Sequence, residues 1–244
     1  MAGPRHRHRR AEERVVAATA DAYRDLELAA LAAVAEAVLA DLRSTVLAIR
    51  ALVGPVGADL YGANLAHADL ARADLPGADL TRAILLGADL AGADLTRAIL
   101  VGADLQGTDL TRANLVRANL YGATLVRANL YDANLTNADL RGAILTRAIL
   151  TGADLHHAIL TRADLYGADL VGADLTHADL REANLHDAAL AQVLWSSGTL
   201  WPEVKAPLMR DRSEELRPGV WRVFGSGHAD AETEDPLVSV LYRS

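Results

Sequence analysis

Leucine occupies every fifth position of this 244-residue chain from Leu60 to Leu190, a run of 27 repeats without an exception. Alanine stands two residues before the leucine in 26 of these repeats, and Thr108 replaces it in the other. The residue between alanine and leucine, here called the middle position, is Asp in 14 repeats, Asn in 6 and Ile in 5. The repeating unit is therefore Ala, a middle residue, Leu and two variable residues.

This period excludes the regular elements as an explanation. In an α-helix, five residues turn through about 500°, so successive leucines would move around every side of the helix. In a continuous strand, an odd period sends successive leucines to opposite faces. A short extended segment followed by a corner fits the pattern, because Ala and Leu two residues apart then point the same way.

Four such corners close a square coil of twenty residues, on which the next coil stacks by backbone hydrogen bonds about 4.8 Å away. Glycine is the second variable residue in eleven repeats, as in Gly62 and Gly77, and suits a corner that needs positive φ. The sequence therefore predicts an all-β solenoid whose thin core is filled by Leu and Ala.

The run Gly-Ala-Asp-Leu-Thr-Arg-Ala-Ile-Leu-Leu-Gly-Ala-Asp-Leu at residues 77–90 resembles the pentapeptide repeat family. The resemblance implies a right-handed quadrilateral β-helix, with the leucine and the preceding small residue inward. The 27 repeats would form about seven coils. The resemblance also implies a function, since some members of the family are similar to duplex DNA in shape and charge, bind type II topoisomerases and protect them from inhibitors.

The sequence outside the repeats divides into three further regions. Residues 1–10 are predicted to be a disordered basic tail and residues 11–53 an N-terminal α-helical segment, followed by the β-helix at 54–192. Heptad spacing in the helical segment predicts a seam that either forms a homodimer or docks within the chain. The seam residues are Leu28, Leu31, Val38, Leu42, Ile49 and Leu52.

Residues 193–244 leave the repeat and are predicted to form a small C-terminal cap. Trp195 and Leu200 still fall on the leucine phase, and the coil is expected to fray into its cap at these points. A short helix is expected within residues 207–216 and strands at 219–224 and 237–242, with an acidic loop at 225–236.

Composition narrows the function. The absence of cysteine removes disulfides and thiolate chemistry, and the net charge of −8 disfavours direct nucleic-acid binding. No segment has the length and apolarity of a membrane span or signal peptide, which predicts a cytoplasmic protein. The repeats contain no serine nucleophile and no phosphate-binding glycine loop, so no enzyme activity and no cofactor are predicted.

Stacking twenty residues per coil assigns each repeat to one of four outer faces, which begin with the repeats of Leu60, Leu65, Leu70 and Leu75 and are called faces one to four. Ten large apolar residues point outward on faces one and two, against four on the others. Such asymmetry indicates a surface that binds another protein. The candidate contact residues are Tyr61, Ile84, Leu86, Ile99, Tyr121, Val126, Ile144, Ile159 and Tyr166.

Acidic residues instead follow faces three and four. Either they form an anionic stripe that imitates the phosphates of DNA, or they stabilise the corners by accepting hydrogen bonds from nearby backbone N–H groups. The candidate stripe residues are Asp69, Asp74, Asp89, Asp94, Asp109, Asp154, Asp169 and Asp174.

His156, His157 and His177 lie together on face four, beside two of these acids. Imidazole and carboxylate groups are ligands for divalent metals, but surface histidines at this spacing are more often solvated. A scaffold that binds another protein is the leading hypothesis, a topoisomerase-binding DNA mimic the second and a surface metal site the third.

Overall fold

A computed structural model describes residues 57–224 of the chain. Within this range the repeats stack with a twenty-residue register: parallel bridges join middle positions twenty apart, from Asp59 with Asp79 to Asp174 with Leu194. The middle residue bonds to the preceding coil and the leucine to the next. The N–H of Asp79 donates to the Ala58 carbonyl at 2.9 Å, for example. This is the predicted stacking of a square-cornered β-solenoid.

Each corner is a four-residue turn. The N–H of Ala143 donates to the carbonyl of Leu140 at 3.0 Å, and the third residue of the turn, Gly142, has a φ of +64°. Positive φ at this place is the mark of a type II turn. The same conformation occurs where the corner has a side chain, as at Arg147 with a φ of +56°.

Sixteen residues other than glycine hold positive φ, one at each repeat corner that lacks glycine. The left-handed conformation costs an L-residue about 1–2 kcal/mol. The stacked coils therefore impose the corner geometry, and glycine only removes the conformational cost of positive φ.

The interior is a column of leucine and alanine. Every repeat leucine from Leu65 to Leu190 is buried, and the alanines are buried from Ala73 onward. Thr108 is buried in an alanine position, where its hydroxyl donates to the Leu85 carbonyl at 2.7 Å. The extra polar atom is tolerated because it has this partner.

The C-terminal end departs from the twenty-residue register by one residue. Asp179 bridges to Leu200, twenty-one residues later. Leu200 therefore occupies a middle position and is 43 % exposed, whereas Trp201 takes the inward place and is 6 % exposed. Leu200 falls on the leucine phase of the sequence but does not point inward, because five residues instead of four separate the inward residues Trp195 and Trp201. Trp195 is buried.

Four short elements close this end. Strand β1 is Leu194–Ser196, helix α1 Ala206–Asp211, strand β2 Ser213–Arg217 and strand β3 Val220–Val223. The three strands form an antiparallel sheet in the order β1-β3-β2. The sequence predicts α1 and β3 but not β2, whose five residues fall partly within the range expected to hold the helix. Within residues 57–224, no helix is long and apolar enough to cross a membrane.

The predicted basic tail at 1–10, the helical segment at 11–53, the acidic loop at 225–236 and the strand at 237–242 lie outside the described residues. The same holds for the seam residues Leu28, Leu31, Val38, Leu42, Ile49 and Leu52.

Candidate interaction surfaces

Seven of the nine candidate contact residues on faces one and two are exposed. They are Tyr61, Ile84, Leu86, Ile99, Tyr121, Ile144 and Ile159. Val126 and Tyr166 are half-buried, and the Tyr166 ring stacks on His186 with centroids 5.5 Å apart. On face three, Tyr131 and Ile149 are exposed as well. Faces one and two therefore carry most of the outward apolar surface, but not all of it.

The middle position has a structural task that isoleucine cannot perform. Nineteen of the twenty Asp and Asn residues there accept a hydrogen bond from the backbone N–H two residues later, as Asp89 does from Ala91 at 2.9 Å. Asp74 is the exception, because Pro76 two residues later has no N–H. An isoleucine has no oxygen for this bond, so each one forgoes a corner contact and exposes an apolar side chain.

Charged pairs flank the apolar residues of face one. Arg141 makes a two-atom contact with Asp139, with a shortest distance of 2.6 Å, and its guanidinium lies 5.7 Å from the centre of the Tyr121 ring. The hydrogen bonds from Arg141 lower the pKa of the Asp139 carboxyl. In the next two coils of face one, Arg162 donates a hydrogen bond to Glu182 at 2.7 Å. Face one is therefore amphipathic, with aromatic and isoleucine side chains between neutralised charges.

The acidic ladders have the predicted placement. Asp69, Asp89 and Asp109 bridge in sequence on face three, as do Asp74 with Asp94 and Asp154 with Asp174 on face four. Except at Asp74, one carboxylate oxygen of every candidate stripe residue accepts a backbone N–H bond.

Asparagine interrupts both ladders and bonds to them. The amide of Asn114 donates to Asp94 at 3.3 Å, and the amide of Asn129 does the same to Asp109. These bonds relieve the repulsion of like charges stacked at strand spacing. The corner-stabilising interpretation of the acids thus has direct support in the hydrogen bonds, while a role in imitating DNA stays a prediction.

The three histidines of face four form a contact cluster. The His156 and His157 rings are 4.2 Å apart at their centres, and His157 stacks on His177 at 4.8 Å. The Nδ1 atom of His156 lies 2.7 Å from the Thr176 hydroxyl. Across residues 57–224, no group of three or more His, Asp or Glu side chains is arranged to hold a metal ion. The described geometry therefore gives no support to the metal hypothesis.

The cluster disfavours protonation of His157. Partial desolvation lowers the pKa of this exposed side chain, and charge on His156 and His177 lowers it further. Because the folded state then binds this proton more weakly than the unfolded chain, stability is present above the ordinary pKa of 6.5 and is lost as the pH falls below it. We expect the free energy of unfolding to decrease between about pH 7.5 and about pH 5.5, measured by urea denaturation.

The variant His157→Asn tests this expectation, because asparagine tolerates the positive φ of this corner. It should reduce the pH dependence. Asn137→Gly, a change one coil away on the same ladder that removes no titratable group, should retain the dependence of the parent protein. An unchanged slope in His157→Asn would refute the assignment.

The described fold defines a class: a β-solenoid of stacked five-residue repeats. The family model for pentapeptide repeats matches residues 58–194 in overlapping segments, with eight copies. The chain belongs to the pentapeptide repeat family, whose members form right-handed β-helices. A comparison of the sequence with curated proteins gives no match.

Solved structures similar to this chain are also pentapeptide repeat proteins. Rfr23 from the cyanobacterium Cyanothece 51142 is 38 % identical over 44 % of this chain and 84 % of its own, with a TM-score of 0.35. A protein of the Arabidopsis thaliana thylakoid lumen is 36 % identical over 39 % of this chain and 70 % of its own, with a TM-score of 0.33. QnrB1, a plasmid-mediated fluoroquinolone resistance protein, is 18 % identical over 64 % of this chain and 97 % of its own, with a TM-score of 0.24.

Proposed function

We propose that this protein is a non-enzymatic scaffold that binds another protein through the apolar surface of faces one and two. The observation that carries the proposal is the placement of isoleucine at the middle position. Four of the five isoleucines lie on these two faces: Ile99 and Ile159 on face one, Ile84 and Ile144 on face two. Each replaces a residue that would stabilise its own corner, so the exposed side chain has a use beyond folding.

The spacing of these residues supports a single extended contact. Within each pair the isoleucines are three coils apart, or about 14 Å at strand spacing. Tyr61 and Tyr121 on face one are also three coils apart and more than half exposed. Aromatic and aliphatic side chains repeated along a rigid surface are typical of the buried centre of protein interfaces.

The proposal has further parts that neither the described residues nor the comparisons test. In this proposal the protein works in the cytoplasm, has about seven coils, needs no cofactor, and uses the seam of residues 11–53 for homodimer formation or for contact with the partner. These points rest on the sequence patterns alone.

The decisive variants are the double substitutions Ile84→Asp/Ile144→Asp and Ile99→Asp/Ile159→Asp. Aspartate is the consensus residue of the middle position and can accept the corner N–H bond, so both variants should fold. We expect each to reduce recovery of the partner from native cell extract at least tenfold, because a carboxylate replaces a desolvated apolar contact.

Ile149→Asp on face three is the matched control and should leave recovery unchanged. Thermal unfolding of all three variants verifies that the solenoid is intact. Equal recovery for the parent protein and both double variants would exclude the surface of faces one and two.

A second candidate function is binding to a type II topoisomerase as a DNA mimic, with protection from inhibitors. The observation in its favour is the face-four ladder, where Asp and Asn follow one another at strand spacing from Asp74 to Asp174. A gyrase supercoiling assay, with and without a quinolone, tests it. Inhibition or protection by the protein should be lost in Asp154→Asn/Asp174→Asn, because asparagine keeps the corner bond and removes the charge; no effect of the parent protein would exclude the DNA mimic.

A further inference from the structure

A cleft of about 440 Å³ opens at the C-terminal end of the solenoid, where two of its lining residues, Arg181 and Leu200, continue face one. Its volume is in the range of sites that hold small ligands or a few peptide residues. The lining residues are Arg181, Trp195, Thr199, Leu200, Trp201, Glu203, Ala206, Pro207 and Arg210.

The aromatic wall of the cleft is built by stacking. Trp195 stacks on Trp221 with ring centroids 4.6 Å apart, and Trp201 meets Trp195 edge-on at 6.1 Å. Arg210, on helix α1, lies over Trp221 with its guanidinium carbon 4.6 Å from the ring centre. This cation–π contact holds a positive charge beside an apolar surface.

One lining residue has an unused hydrogen-bond donor. Trp201 is more than nine-tenths buried, and among residues 57–224 its indole Nε1 has no hydrogen-bond partner. By contrast, Nε1 of Trp195 donates to the Ser213 hydroxyl at 2.9 Å. Nε1 itself is enclosed in this conformation, so an acceptor reaches it only after a shift of the Trp201 side chain. Such a shift is favoured because an unpaired buried N–H destabilises the protein.

The two arginines of the cleft differ in their partners. Arg181 is paired with Asp179 at 2.7 Å. Arg210 makes no hydrogen bond or ion pair through its side chain to any residue of the range 57–224, apart from its contact with Trp221. Glu203 is exposed at the same cleft and disfavours a ligand with several negative charges.

We propose that this cleft binds the C-terminal end of a partner polypeptide whose last residue is apolar. The terminal carboxylate would pair with Arg210, a peptide carbonyl or carboxylate oxygen would accept the Trp201 N–H, and the apolar side chain would pack against Trp195, Leu200 and Pro207. A terminal residue carries its carboxylate and its side chain on one Cα, which suits a cleft where charge and apolar wall are adjacent. Capture of a terminal carboxylate is an established mode of peptide recognition.

The proposal does not use the isoleucines of faces one and two, so its failure and that of the proposed function are distinguishable. The probe is the peptide acetyl-Ala-Ala-Pro-Leu with a free carboxylate, titrated into the full chain while tryptophan fluorescence is recorded. We expect saturable binding, and at least tenfold weaker binding of the same peptide with a C-terminal amide, because the amide has no charge for Arg210.

Arg210→Gln should weaken binding of the free-acid peptide at least tenfold and leave the amide unaffected. Arg222→Gln is the matched control: Arg222 is paired with Glu214 on the neighbouring strand and does not line the cleft, so binding should be unchanged. Circular dichroism and thermal unfolding verify that both variants are folded.

Equal affinity for acid and amide, or no saturable binding, would overturn the proposal. The full-length variant Leu237→Ser/Leu241→Ser provides a further arm, since these residues belong to an apolar run in the chain's own C-terminal segment. Peptide binding by this variant but not by the parent protein would overturn the partner assignment in favour of the protein's own C-terminal segment.

Discussion

Leu125→Ala is expected to lower the free energy of unfolding by about 3–5 kcal/mol, measured by urea denaturation followed by circular dichroism. Leu125 is fully buried in the middle of the stack. Its removal leaves a cavity lined by leucines and alanines of the neighbouring coils. Because backbone hydrogen bonds hold those coils at a constant spacing, they cannot collapse into the space, which places the cost toward the upper end for this substitution.

Leu86→Ala is the matched control for this experiment. The same side chain is shortened, but Leu86 is the first variable residue of its repeat and is 36 % exposed. We expect a loss below about 1 kcal/mol, because exposed apolar side chains contribute little to folding. Similar losses for the two variants would contradict the assignment of the leucine phase to the interior.

Trp201→Ala is expected to lower the free energy of unfolding by about 3–5 kcal/mol, because it removes a large buried aromatic residue. Trp201 occupies the inward place of the last coil and contacts Trp195 edge-on. The C-terminal end covers the leucine column, so this loss should also accelerate hydrogen exchange in the coils beside it. Urea denaturation and hydrogen exchange measure the two effects.

Leu200→Ala distinguishes the observed register from the one that the five-residue phase predicts. If the phase continued unbroken, Leu200 would be the inward residue and its truncation would be the costly one. In the structure Leu200 is exposed, so we expect a loss below about 1 kcal/mol. A larger loss for Leu200→Ala than for Trp201→Ala would refute the one-residue shift.

The sequence predicts the repeat region well because every five residues repeat the same physical constraint. A leucine that recurs without exception, with a small residue two positions earlier, admits one stacking register. The bridges from Asp59 to Leu194 follow that register. The ladders of Asp, Asn and Ile on the outer faces follow from the register alone, so the placement of candidate residues such as Ile84, Asp94 and His157 could be predicted together with the fold.

Three features could not be predicted in this way. The positive φ at corners such as Arg147 does not follow from the residue type, because stacking forces a conformation that arginine does not prefer. The extra residue before Leu200 leaves the count of apolar positions unchanged and shifts only which of them points inward. The cleft depends on residues from four places in the chain, and its signal in the sequence was only a concentration of tryptophan.

The sequence by itself determined the coil, its core and the identity of each outer face, because these depend on local periodicity and on burial of the same two residue types in every repeat. The tertiary structure alone decided how the stack ends, where the register slips and that Arg210 and Trp201 line one cleft. These features depend on contacts between residues with no periodic relation, and only the folded backbone brings such residues together.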